Sequence, residues 1–224
     1  MANHKFSNTV AVIVAHPDDE TLWAGGTILQ HPDWQWFIIS VCRGKDEDRA
    51  PKFRKALTKF HAEGIMGDMN DGSEQQPLDD QVVAETILKL LPNRHFDIII
   101  THNPLGEYTK HLRHEEVSKA VINLWNDGKI STNALWIFAY EDGNQTYLPR
   151  PNENATFFQE LPEDIWLEKY KIMTETYGFN TDTWEAKTTP KAEAFWHFHE
   201  VANAKRWLDN ESLPLEILRG VTEY

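Results

Sequence analysis

Apolar and polar positions along the chain fall into short blocks with two alternating periods. Residues 10–15 (VAVIVA) form an unbroken, mostly β-branched apolar run, the pattern of a central strand buried on both faces of a parallel sheet. Residues 34–42 (WQWFIISVC) and 96–101 (FDIIIT) repeat it, and shorter signals predict strands at 64–69 and 134–140 (ALWIFAY). Between them the period turns helical. Helices are expected over about 21–30, despite Gly25 and Gly26, and over about 50–63. A third is expected over about 78–91, capped by Asp79 or Asp80, with Val82, Val83, Ile87, Leu90 and Leu91 inward. A fourth opens at His111 and carries Val117, Val121, Ile122 and Leu124. Strands alternating with helices predict an α/β fold: a Rossmann-like, mostly parallel sheet flanked by helices, with right-handed crossovers.

The last third reads differently. Glu141-Asp142-Gly143-Asn144 is turn chemistry, and residues 145–148 are the expected hairpin partner of the strand before it. Periodicity fades over 149–162. A helix from Leu161 is expected to bury Ile165, Trp166, Tyr170, Ile172 and Met173, and another over 191–208 to carry Phe195, Trp196, Phe198 and Trp207. His197 and His199 would face different sides of that helix and read as structural. No fixed-period repeat or low-complexity linker occurs. The expectation is one domain over 1–224, with a Rossmann-like core at about 1–145 and a helical elaboration at about 146–224.

The first strand ends abruptly in His16-Pro17-Asp18-Asp19-Glu20, which delivers an imidazole and three carboxyl groups to the carboxyl edge of the sheet. That edge is where open α/β sheets bind ligands. Helix capping by Asp18 or Asp19 would explain one carboxylate and leave His16 unexplained. A second cluster, His111-Leu112-Arg113-His114, places two histidines three residues apart on one helix face, aimed at the same edge. Hydrolytic zinc takes three ligands from histidine and carboxylate and keeps a position open for water. His16, Asp19 and one helical histidine fit that set. Asp18 is then free as base toward water, and the remaining histidine can stabilise an oxyanion or protonate a leaving amine. Iron(II) would accept the same donors. Arg49, Asp71 and His102 stand at strand ends as candidate substrate contacts.

Composition narrows the partners. A formal net charge of −13 over 224 residues disfavours nucleic acid. No apolar run reaches membrane-span length, and the opening residues MANHKFSNTV lack a secretory pattern. Cys42 is the single cysteine, so no intrachain disulfide can form; a buried thiol and a cytoplasmic location are expected. No glycine-rich phosphate loop or G-x-S-x-G elbow is present.

The string AHPDDE at 15–20, the distant H-x-x-H at 111–114 and the loop NPLGEYTK before it resemble the LmbE-like (PIG-L-like) family of metal-dependent N-acetylglucosaminyl deacetylases. The resemblance covers about residues 9–140. It implies that His16, Asp19 and His114 hold Zn2+, that Asp18 is the general base, and that His111 is the electrostatic stabiliser or general acid. Many members read H-P-D-H where this chain has His111-Leu112-Arg113-His114, which places a cation beside the site. The implied reaction removes acetyl from a small N-acetylated amino sugar or conjugate. The alternatives are an amidase acting on another acylated amine and a catalytically silent metal- or sugar-binding module; assembly into a homo-oligomer stays open.

Overall fold

The computed structural model describes residues 8–108 and 110–210. Its elements run β1 (Thr9–Val14), α1 (Asp19–Gln30), β2 (Gln35–Cys42), α2 (Arg49–Lys59), β3 (Glu63–Met69), α3 (Asp80–Leu90), β4 (His95–Thr101), α4 (Leu112–Asn126) and β5 (Ser131–Phe138). There follow β6 (Tyr140–Glu141), β7 (Arg150–Pro151), β8 (Phe157–Glu160), α5 (Glu163–Lys171), a π-turn (Ile172–Thr176), α6 (Trp184–Thr188), β9 (Ala192–Phe198) and α7 (Val201–Asn210). The main sheet has the order β3-β2-β1-β4-β5-β9-β8. Its first five strands are parallel, and β9 and β8 are added antiparallel.

Residues Val10 to Val14 have no solvent exposure. Because β1 lies mid-sheet, its side chains divide between two cores. Ala11 and Ile13 pack with Val83, Ile87, Val117 and Val121 of α3 and α4, while Val10, Val12 and Val14 pack with Leu22 and Trp23 of α1 and Phe53 of α2. Each fully buried Val or Ile contributes about 1.5–3 kcal/mol. β1 and β4 are neighbours, yet β1 leads outward to β2 and β4 leads the other way to β5. The chain therefore reverses direction across the sheet there, opening a crevice above the carboxyl ends of the two strands.

Several expectations need correction. The helix predicted over 191–208 is instead strand β9 followed by α7. β9 is held between β5 and β8 and buried on both faces, so its sequence lacks the alternation that marks a half-exposed strand. β8 lies inside the stretch without visible periodicity. Residues 145–148 form turn, bend and irregular backbone; β6 pairs with Arg150–Pro151. The helix expected over 50–63 ends at Lys59, and Glu63 already belongs to β3. Val82 is 49% exposed, so the buried face of α3 is narrower than its apolar pattern. The stripe of α5 centres on a charge, because Lys169 is fully buried against Glu193 of β9 at 2.7 Å. Glu193 also accepts from the Gly26 and Thr27 amides. A Cβ on Gly26 would stand 2.4 Å from Leu161, so this glycine admits the C-terminal segment against α1.

Candidate active site

The segments that follow β1, β2, β3 and β4 contribute to one cavity of about 490 Å³, with His16, Asp18, Arg49, Asp71, His111 and Trp184 among its walls. His16 follows β1, Asp71 follows β3, and His111 is the residue before α4. Asp18 caps α1 only through its backbone: its carbonyl accepts from Thr21 and Leu22, while its side chain makes no capping bond. The capping explanation for this carboxylate therefore fails.

His16 Nδ1, Asp19 Oδ2 and His114 Nε2 form a nearly equilateral triangle, with separations of 3.2, 3.3 and 3.4 Å. A tetrahedral metal with arms of about 2.0–2.1 Å has ligand–ligand edges of about 3.3 Å. The donor set and its spacing fit a divalent ion. Two carboxylates stand behind the imidazoles, an arrangement that orients metal-binding histidines. Glu107 Oε2 is 2.7 Å from His114 Nδ1, and Asp71 Oδ1 is 3.2 Å from His16 Nε2. Burial opposes the charge on Glu107, but His102 and His114 outweigh it and hold the carboxyl at about 2.

His102, expected as a substrate contact, is fully buried beneath the cavity. Its Nε2 accepts the Ala15 amide at 2.9 Å, which leaves the proton on Nδ1, 3.1 Å from Glu107 Oε1. With its lone pair engaged, His102 donates to Glu107 and takes no part in lining the cavity. Arg49 and Asp71 do line it. Arg49 Nη1 lies 3.6 Å from Asp18 Oδ2, and its guanidinium sits over Phe179. Asp71 accepts two bonds from Arg43 as well as approaching His16. Arg113 points neither to solvent nor to the cavity. It is 1% exposed, pairs with Glu116, and donates to the carbonyls of Asn70 and Gln76, fastening the Asp71 loop to α4.

The adjacent carboxyls Asp18 and Asp19 titrate in opposite directions. Burial and the neighbouring Asp19 charge push Asp18 well above the ordinary range, against the pull of Arg49. Burial also disfavours the Asp19 anion, but His114, with His16, reverses this and holds it well below the range. One is a proton acceptor at accessible pH and the other a fixed anion. His111 stacks 4.4 Å from His114, and burial together with the charges of His114 and His16 pushes its ring down to about 3. Glu107 is the residue the sequence reading missed; its only signal is an acid in the loop just before H-x-x-H.

The fold and site are those of a Rossmann-like α/β protein with a candidate divalent-metal centre at the carboxyl edge of its sheet. The sequence pattern of the PIG-L family (GlcNAc-PI de-N-acetylase) matches residues 11–125, which includes both histidine motifs and over half of the chain. The chain belongs to this family. An uncharacterised protein of Acanthamoeba polyphaga mimivirus is 21% identical over 138 residues, a match spanning 54% of this chain and 60% of the viral protein. The antimicrobial reagent A40926 pseudoaglycone deacetylase is structurally similar, with a TM-score of 0.54 at 13% identity over 87% of this chain and 98% of that one. The 4-carboxy-2-hydroxymuconate hydratase GalB of Pseudomonas putida KT2440 gives a TM-score of 0.51 at 14% identity, covering 96% and 90%. These likenesses establish the fold, and they show one architecture carrying two kinds of chemistry.

Proposed function

We propose that this protein is a metal-dependent N-deacetylase that hydrolyses the acetamide of an N-acetylglucosamine-type sugar or conjugate, releasing acetate and a free amine. The observation that carries this reading is the His16–Asp19–His114 triangle, with Asp18 and His111 lining the same cavity. Zn2+, or Fe2+ in its place, would be held by these three residues; when bound it supplies Lewis acidity and acidifies water.

The chain's own groups account for the proton movements. Asp18, whose affinity for a proton is raised, removes one from the attacking water as the water oxygen bonds to the acetyl carbon. The neutral His111 ring keeps one N–H, which it donates to the acetyl oxygen as negative charge develops there. Asp18 then returns its proton to the nitrogen as the C–N bond breaks, giving the free amine and acetic acid, which ionises to acetate. This assigns His111 to charge stabilisation, since Asp18 by itself can carry the proton from water to the leaving nitrogen.

The test is acetate release from a panel of N-acetylglucosamine conjugates, with metal analysis of the same sample. The Asp18→Ala variant is expected to keep about one metal per chain and lose about 10²- to 10⁴-fold in turnover. A metal-loaded protein that is inert toward the panel but cuts other acylated amines would overturn the substrate assignment. One that cuts nothing would leave a binding module.

A further inference from the structure

Asp18 has φ 122° and ψ −28°, a conformation that suits glycine and strains other residues. Something must hold the proposed base in this shape. The Asp18 amide donates to Glu20 Oε2 at 3.0 Å, turning the third carboxyl of the motif back onto the strained residue. Glu20 is fully buried, and its other oxygen accepts from Thr21 Oγ1 at 2.6 Å and from the Tyr177 hydroxyl at 2.7 Å. Tyr177 is 1% exposed and lies 157 residues away, immediately after the π-turn. Its amide donates to Ile172 O, so the extra residue of the π-turn sets where its ring enters the core.

We propose that Tyr177 is a positioning residue for the reaction: acting through Glu20, it fixes the backbone of Asp18 and thereby aims the base. The claim rests on the deacetylase reading and adds a role for the C-terminal segment. Asp18 approaches Arg49 in the cavity and its carbonyl accepts from the Thr21 and Leu22 amides of α1, while its own amide is held by Glu20. Glu20 in turn needs its second oxygen occupied, since an underbonded buried carboxylate would rotate toward another donor.

Tyr140 supplies a matched comparison. Its buried hydroxyl also bonds α1, donating to Trp23 O at 2.8 Å, but it does not touch Glu20. Tyr177→Phe and Tyr140→Phe each delete one buried hydroxyl, so comparable falls in Tm are expected. Only Tyr177→Phe is expected to lower kcat, by about tenfold, with KM within about twofold and metal content unchanged. Glu20→Gln, which keeps an oxygen for the Asp18 amide and an NH2 that the Tyr177 oxygen can accept, should retain more kcat than Glu20→Ala.

Hydrogen exchange over residues 16–22 gives a readout independent of turnover: faster exchange in Tyr177→Phe and unchanged exchange in Tyr140→Phe. Equal effects of the two hydroxyl deletions on kcat and exchange, no effect of either, or a change confined to KM would overturn the proposal. If the wild-type protein releases no acetate, the deacetylase reading fails, and the exchange comparison still decides whether Tyr177 holds the Asp18 segment.

Discussion

Replacing Glu107 with glutamine should weaken metal binding without touching a ligand. Glu107 Oε1 receives His102 Nδ1–H and the Asn103 amide, while Oε2 faces His114 Nδ1 at 2.7 Å. Glutamine can keep its oxygen on the first two donors, which puts its NH2 against His114 Nδ1. That nitrogen must then accept, and the ring proton moves to Nε2, the atom in the triangle with His16 and Asp19. Losing such an orienting carboxylate typically costs 10- to 100-fold in metal affinity, or about 1.4–2.7 kcal/mol. Competition against a chromophoric chelator measures this, and affinity within about twofold of wild type would refute the orienting role.

The same carboxylate predicts an acid dependence of the metal-free protein. Its folded value of about 2 lies below the free value of 4.5. The stabilisation is therefore complete above about pH 4.5 and drains away as pH falls toward 2, a span on the order of 3 kcal/mol. The Glu107→Gln variant should lack that part of the pH dependence.

His114→Ala should abolish stoichiometric metal binding, since it removes one corner of the triangle; retained metal by elemental analysis would sink the ligand assignment. Arg113→Met should cost about 3 kcal/mol in denaturant unfolding and increase proteolysis within residues 70–78, because it removes the cation paired with half-buried Glu116 and frees two carbonyls of that loop. His197 is stacked on Trp136 at 4.0 Å, and burial, then the His199 charge, lower it to about 3. Its contribution is present above about pH 6.5 and is lost toward pH 3, so His197→Phe should flatten the stability profile there by up to about 1.4 kcal/mol per pH unit. An unchanged slope would show that His197 titrates normally in the fold.

The chain by itself determined the parallel core and one half of the site. Strands rich in apolar residues on both faces announce burial, and His16, Asp18 and Asp19 lie within four residues of one another, so local backbone geometry suffices to gather them. A spacing of three at the start of α4 likewise couples its N-cap His111 to His114. Tertiary structure decided the rest. The stretch 192–198 carries aromatic residues at spacings that suit helix or buried strand alike; the unpaired edge of β5 and the arrival of β8 made it a strand. His102 looks like a substrate contact until the Ala15 amide and Glu107 are found occupying both its nitrogens. Arg113, Glu107 and Tyr177 act over 43, 7 and 157 residues of sequence separation, and no periodicity encodes such pairings. A buried charge or hydroxyl must find its partner wherever the fold brings one, so these roles emerge only when distant segments meet.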